Sequence, residues 1–383
     1  MSPEKGFIEI FGRHPAVLAD AGGRVNLIGE HTDYHGGFVF PAAIDLRCRV
    51  AAGPRGDRQV VVWSENLRGF ATGRLDALEP RGTSHWSSYC LGPFWALREA
   101  GVEVQGADIW LNGEVPLGSG LSSSASIAVA LVGVGAAMAG KELKPLEIAR
   151  IAQLAENRFC GVPCGVMDQV ASACVVSGHA LLLDCRSLEV QAVPFPEEWA
   201  IGVIDSGVKH SVGSGEYARR QEQCAMGMEV LRRAYPGVMS ARDVTMDMLD
   251  SVRGSMPEVS YRRLRHVVRE NARTLLARAA LEASDPSAMG RLLYESHESL
   301  ARDYEVSCRE LDLLVEAARA TRGVIGGRLC GAGFGGNVVV LTLREAAEGA
   351  MAEILERYAS STGMRTASRL LRASDGLRVR WLS

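Results

Sequence analysis

The segment Gly23-Arg24-Val25-Asn26-Leu27-Ile28-Gly29-Glu30-His31-Thr32-Asp33-Tyr34 gathers an arginine, two acids and a histidine around a short apolar run, and Gly36-Gly37 follows directly. Arg24 offers a planar fork of donors suited to a phosphate. Glu30, His31 and Asp33 offer the mixed donors and acceptors that a ring of hydroxyls requires. A solvated loop closed by a salt bridge is the competing reading. It carries less weight, because such a loop has no reason to sit between two apolar runs and a glycine pair.

A second segment, Pro116-Leu117-Gly118-Ser119-Gly120-Leu121-Ser122-Ser123-Ser124-Ala125-Ser126, lies between an expected strand and an expected helix over 127–139. Small residues let backbone amides approach an anion, and amides at a helix start lack internal partners, so the segment suits nucleotide phosphates. The Ser124 hydroxyl is a candidate Mg²⁺ ligand. Any one serine here is also a plausible helix cap, but the whole Gly-Ser run is less easily explained that way. A third segment, Glu156 to Gln169, is read as a helix end and loop with an acid near each end, Glu156 and Asp168. Such a pair can divide its roles, one acid holding metal and the other facing substrate. Taken singly, either acid is more often a surface charge.

Two motif matches fail on context. Gly135 to Lys141 fits the start of a phosphate-loop pattern, yet Glu142 stands where Ser or Thr must bind metal, and the segment ends a helix where it ought to open one. Gly331-Ala332-Gly333-Phe334-Gly335-Gly336 matches a dinucleotide fingerprint, yet a strand over 337–343 is expected where a helix is required. The glycine run then implies a tight turn, or a backbone pressed close to a ligand or to the serine-rich loop.

The remaining elements must position these groups. Strands are expected at 105–112, 60–63, 180–184, 200–204, 337–343 and 377–382, and helices at 127–139, 145–159, 216–234, 261–283, 286–300 and 308–320. Strands early and helices late predict an α+β fold, not repeating βαβ units. The composition shift near Pro194-Phe195-Pro196 places a boundary between an N-terminal domain, 1–195, and a helix-rich C-terminal domain, 196–383, with a cleft between them as the site. The chain has 383 residues, 47% hydrophobic and 23% charged, enough for a large core. A net charge of −3 argues against a nucleic-acid partner. Nine cysteines, an odd number with no C-x-x-C pair, read as reduced thiols. The N-terminus lacks a signal-peptide pattern, and the 127–139 run is too short to span a membrane, so a cytoplasmic protein is expected.

In their order along the chain, these segments, with Trp86 to Tyr89 and Ser206 to Tyr217, resemble the GHMP kinase superfamily, and the first is similar to the galactokinase signature. The resemblance implies a two-lobed fold of mixed β-sheets flanked by helices. It implies transfer of the γ-phosphoryl group of ATP to the anomeric hydroxyl of galactose, giving galactose 1-phosphate. Asp168 then falls on the base and Arg24 on the residue supporting the transferring phosphoryl group. Glu30, His31, Asp33, Gly165 and Tyr217 fall on sugar contacts. Trp86 and Tyr89 fall on the adenine pocket, Pro116 to Ser124 (Pro116, Leu117, Gly118, Ser119, Gly120, Leu121, Ser122, Ser123 and Ser124) on the ATP loop, and Ser124 with Glu156 on Mg²⁺.

Physical chemistry supports these roles, since phosphoryl transfer needs alignment and charge neutralisation above all. An arginine beside Asp168 favours the ionised carboxylate and weakens it as a base, which points to late proton acceptance. The chain departs from the family pattern at Gly22, for a usual proline; His35, for asparagine; Ala128, for glutamate; and Asn337, for cysteine. His35 lies nearest the sugar contacts. A sister kinase acting on N-acetylgalactosamine, arabinose or galacturonate is therefore the nearest rival, and a non-catalytic sugar and ATP sensor is a rival of another class.

Overall fold

The computed structural model describes residues 1–80, 82, 85–208 and 215–382. Thirteen strands are found among them: β1 (Val17–Asn26), β2 (Phe38–Val39), β3 (Pro41–Pro54), β4 (Gln59–Ser64), β5 (Gly69–Arg74), β6 (Ala107–Gly113), β7 (His179–Asp184), β8 (Val190–Pro194), β9 (Trp199–Asp205), β10 (Val324–Cys330), β11 (Asn337–Leu343), β12 (Ser368–Leu371) and β13 (Arg378–Trp381). They form a six-stranded sheet ordered β13-β1-β3-β6-β4-β5, a four-stranded sheet ordered β10-β11-β9-β12, and a small sheet β2-β7-β8. The first sheet is mixed, because β4 runs parallel to β6 while its other pairings are antiparallel. With helices packed on these sheets, the fold is α+β, as the sequence implies.

The first sheet is covered by the helices Trp86–Glu99, Ser123–Met138 and Met167–Cys174, which share its core. The Ser123 helix is apolar nearly all round and is buried on almost every side. A second core lies among the later helices and β10 and β11, around Leu264, Leu314, Tyr304 and Tyr358. A third packs Val25, Leu27, Ile28 and Phe40 against Leu293, Val339 and Leu341 and so spans the boundary expected near residue 195. The first motif therefore lies on the seam. The chain also crosses back late, since β13 pairs with the outer edge of β1, Val17 opposite Trp381 and Asp20 opposite Arg378. No helix among the described residues is long and apolar enough to cross a membrane.

Candidate active site

Arg24 lies near the end of β1, just past a register shift against β3 between Gly22 and Arg24. The glycine before it has a steric reason. A Cβ on Gly23 would stand 2.6 Å from the Leu121 carbonyl oxygen, so only glycine lets the serine-rich loop lie against β1. The Arg24 amide donates to that same carbonyl at 3.0 Å. The loop leaves β6, turns through left-handed residues at Gly118 (φ 69°) and Gly120 (φ 73°), and enters the Ser123 helix from Ser122. The free amides of a long buried helix are thus aimed beside Arg24.

Asp168 sits in the first turn of the helix Met167–Cys174. Arg24 grips it with two parallel bonds, Nε to Oδ1 at 2.7 Å and Nη2 to Oδ2 at 2.8 Å. Ser122 Oγ donates to Oδ2 at 2.5 Å, and Arg24 Nη1 donates to the Gly120 carbonyl at 2.5 Å. A carboxylate offers roughly four acceptor positions, and three bonds fill positions here, two on Oδ2 and one on Oδ1. A place on Oδ1 remains for one further donor. Burial works against the Arg24 charge, but the Asp168 and Glu30 carboxylates outweigh it and raise the arginine above its ordinary value. The guanidinium is therefore permanently charged.

A cavity of about 670 Å³ opens over this pair. Arg24, Asp168, Ser122, Ser123 and Ser124 line it, as do Trp86, Tyr89, Asn66 and Leu67. Pro116, Leu117, Gly118 and Gly120 also face it, whereas Ser119 and Leu121 do not. Ser119 is used inside the loop: its Oγ donates to the Pro116 carbonyl at 2.7 Å and its own carbonyl accepts from Asn337. Leu121 is buried in the seam. Asn66, Leu67 and Ser64 were not anticipated as lining residues; Ser64 ends β4 and the other two come from the β4–β5 turn, which carries no ligand-binding pattern. Asn66 exchanges two bonds with the Gly113 backbone, which fixes that turn at the cavity rim.

Glu156 lies in a π-helical turn, Ala155–Phe159, that extends the helix Pro145–Leu154. Its Oε1 accepts from Ser124 Oγ at 2.9 Å and its Oε2 from Gln169 Nε2 at 2.8 Å. Among the described residues no cationic side chain touches this buried carboxyl, and burial, with a smaller push from Asp168, raises it to about 7. A buried acid beside a hydroxyl with no cation against it suits Mg²⁺, which takes few protein ligands and completes its shell with water and phosphate oxygens.

The expected sugar residues form a second cluster that meets the first at Asp168. Glu30 is buried, and its Oε1 accepts from Arg328 Nη2 at 3.1 Å and from the Gly331 amide at 2.8 Å. Asp33 stands so close to Gly165 that a Cβ there would lie 1.7 Å from its Oδ2. Gly165 is therefore required by Asp33. Burial, then the charge of Asp168, raises Asp33 to about 7.

His31 adopts a left-handed backbone (φ 61°), and its Nδ1 meets the Tyr34 hydroxyl at 2.7 Å, which in turn meets the Tyr304 hydroxyl at 2.8 Å. Burial, then His266, depresses His31 to about 3, so the ring is neutral. Tyr217 completes an aromatic wall, with its ring 5.8 Å from His31 and 5.2 Å from Tyr34. His35 packs on Tyr34 at 4.6 Å and is lowered to about 4, first by burial. Residues 209–214 of the segment Ser206 to Tyr217 lie outside the described residues.

The two rejected motifs behave as expected. Gly140 (φ 66°) closes the Ser123 helix, and a strand, β11, follows the glycine run. That run packs on the serine-rich loop: a Cβ on Gly331 would lie 3.6 Å from Gly120, and Asn337 donates to Ser119.

Comparison with known proteins agrees with this arrangement. The galactokinase galactose-binding signature matches residues 5–54, the GHMP kinase N-terminal domain residues 88–176, and the GHMP kinase C-terminal domain residues 277–360. Galactokinase from Roseiflexus sp. (strain RS-1) is 43% identical, covering 97% of this chain and 95% of the relative. The Bos taurus galactokinase is 42% identical, covering 98% and 95%. Among solved structures, Lactococcus lactis galactokinase complexed with galactose superposes with a TM-score of 0.93 at 32% identity, covering 98% of both chains. Mevalonate kinase from Methanococcus jannaschii, at 18% identity and TM-score 0.67, shares the fold. With a cavity lined by the serine loop and the Arg24–Asp168 pair, and with the galactose-binding signature matched over residues 5–54, this chain belongs to the galactokinase family of GHMP kinases.

Proposed function

We propose that the protein transfers the γ-phosphoryl group of ATP to O1 of galactose, releasing ADP and galactose 1-phosphate. The observation that carries this reading is the bidentate Arg24–Asp168 pair in the wall of the same cavity that Ser122 to Ser124 line. Nucleotide phosphates lie along the serine loop at the start of the Ser123 helix, with the base toward Trp86, Tyr89 and Asn66. Galactose lies toward Glu30, His31, Asp33 and Tyr217.

The O1 hydroxyl donates to the remaining position on Asp168 Oδ1. As the bond from O1 to phosphorus forms and the bond from phosphorus to the ADP oxygen breaks, the O1 proton passes to Asp168. Three hydrogen bonds already hold the carboxylate in place, and the proton moves late, once bond formation to phosphorus has made O1 acidic. Arg24 faces both this carboxylate and the phosphoryl group and offsets the negative charge gathered there. Ser124 and Glu156 would hold Mg²⁺, whose chemistry is to neutralise phosphate charge. Neutral His31, held by the Tyr34 contact, orients sugar hydroxyls without adding charge.

On this reading the halves 1–195 and 196–383 each supply part of the site, the second through the glycine turn and Tyr217. Nine free cysteines suit a reducing cytoplasm. A coupled ADP-release assay over galactose, N-acetylgalactosamine, arabinose and galacturonate tests the proposal. Turnover of galactose at millimolar concentration is expected; turnover of another sugar alone would move the assignment to a sister kinase, and binding without turnover would make the protein a sensor.

A further inference from the structure

Glu30 is held from the far half of the chain by a residue that no sequence pattern singled out. Arg328, on β10, is fully buried and spends its fork on the first motif: Nε donates to the Leu27 carbonyl at 2.7 Å, Nη2 to the Asn26 carbonyl at 2.6 Å and to Glu30 Oε1 at 3.1 Å. The Gly331 amide takes the same Glu30 oxygen at 2.8 Å. Oε1 is thereby committed, and Oε2 makes no hydrogen bond among the described residues.

From the helix Glu258–Glu282 a second pair of groups closes on the same turn. Glu270 Oε1 accepts from the Gly29 amide at 3.1 Å and from Ser296 Oγ at 2.6 Å, and its Oε2 from Arg273 Nε at 2.7 Å. His266 Nε2 donates to the Glu30 carbonyl at 3.1 Å. Burial favours the neutral form of Glu270, but Arg273, His266 and Arg328 overcome it and hold the carboxyl at about 2. The turn at Gly29 (φ 98°) is thus gripped by fixed charge on both sides.

We propose that Arg328 is a positioning residue for sugar binding, which fixes the Glu30 carboxylate by one oxygen so that the other is presented to a sugar hydroxyl, with His266 and Glu270 bracing the backbone behind it. This inference rests on the galactose-site reading above. Glu30 on a flexible surface turn would lose side-chain freedom on each binding event; here that cost is met once, in folding. Lysine cannot replace the fork, because one ammonium cannot reach two carbonyls and a carboxylate in the geometry that a planar guanidinium spans.

The test is a double-mutant cycle between Arg328→Lys and Glu30→Gln, read as kcat and KM for galactose and for ATP. Arg328→Lys is expected to raise the sugar KM roughly tenfold or more, in line with losing hydrogen bonds to a charged group, and to leave kcat and the ATP KM within about threefold. The double variant is expected to match Glu30→Gln alone within about threefold, because both changes remove one function. Multiplying effects, or an unchanged sugar KM in a folded Arg328→Lys protein, would overturn the proposal. If Arg328→Lys fails to fold by circular dichroism, His266→Gln, which touches the Glu30 carbonyl, replaces it in the same cycle with the same expectations. Wild-type turnover is measured first: a wild type inactive on galactose counts against the function assigned above, and the cycle is then run on whichever sugar of the panel is phosphorylated.

Discussion

Replacing Gly165 by alanine gives a direct probe of the sugar site, because the added methyl group has one defined target. Its carbon would lie 1.7 Å from Asp33 Oδ2, 2.5 Å from Cγ and 3.1 Å from Cβ. Restoring an ordinary contact of about 3.5 Å moves the carboxylate by about 1.8 Å, more than a hydrogen bond tolerates. The backbone adds little to the effect, since Gly165 is not among the positive-φ residues. Losing one hydrogen bond from a sugar hydroxyl to an ionised acceptor costs roughly 1.5–3 kcal/mol, or about 10- to 150-fold in KM.

Steady-state kinetics at pH 8, where Asp33 is ionised, should show that rise for galactose and less than about threefold change for ATP, which binds elsewhere. Asp33→Ala and Asp33→Ala/Gly165→Ala should behave alike, because the clash vanishes with the side chain. A folded Gly165→Ala protein with an unchanged sugar KM would refute the reasoning, as would a Gly165→Ala effect that persists undiminished on the Asp33→Ala background.

Asp33 also predicts a pH dependence. Its native value of about 7 lies above the ordinary 3.8, so the folded state holds the extra proton between those values, and this group's contribution to stability falls as pH rises through that window. Asp33→Asn should therefore melt higher than the wild type at pH 8 and lose that advantage toward pH 4; its sugar KM should not fall between pH 6 and 8 as the wild type's does. Asp168→Asn, which keeps the volume beside Arg24, should lower kcat by roughly 10² or more with ATP KM little changed, and near-normal turnover in single-turnover kinetics would remove Asp168 from its role. Asn337→Ala releases the Ser119 carbonyl and should raise the ATP KM about 2- to 12-fold without changing the sugar KM, checked by the same kinetics.

What was legible in the sequence was local. The serine-rich loop, the helix it feeds, the end of that helix at Gly140 and the strand after the glycine run all follow from neighbours within a dozen residues. The helix Trp86–Glu99 was not legible, because Gly92 and Pro93 interrupt it and its apolar face is weakly marked. A Cβ on Gly92 would meet the Phe159 ring at 3.2 Å, so packing and not propensity places it there. Strand β3 was hidden by Ala42, Ala43, Ala51, Ala52 and Gly53, which carry little strand preference.

The pairing of Glu30 with Arg328 joins positions 298 apart in the chain, and nothing near either residue announces the other. Of the four departures from the family pattern, Asn337 has found a bond to the serine loop. Gly22 sits where a Cβ would lie 2.7 Å from the Ile44 carbonyl, so this chain's own β1–β3 approach leaves no room for a larger residue.

The return of β13 to β1 ties the maturation of the strand that bears Arg24 to a segment made long after it. Until residues 378–381 emerge, the backbone of Val17 to Asp20 on the strand bearing Arg24 presents an open edge, a template for pairing with other chains. Severing the polypeptide near residue 195 would expose that edge permanently and would also strip the seam of Leu293, Val339 and Leu341. Fragments cut at that point are therefore not expected to be independently soluble, and a split version of the protein would need them produced together.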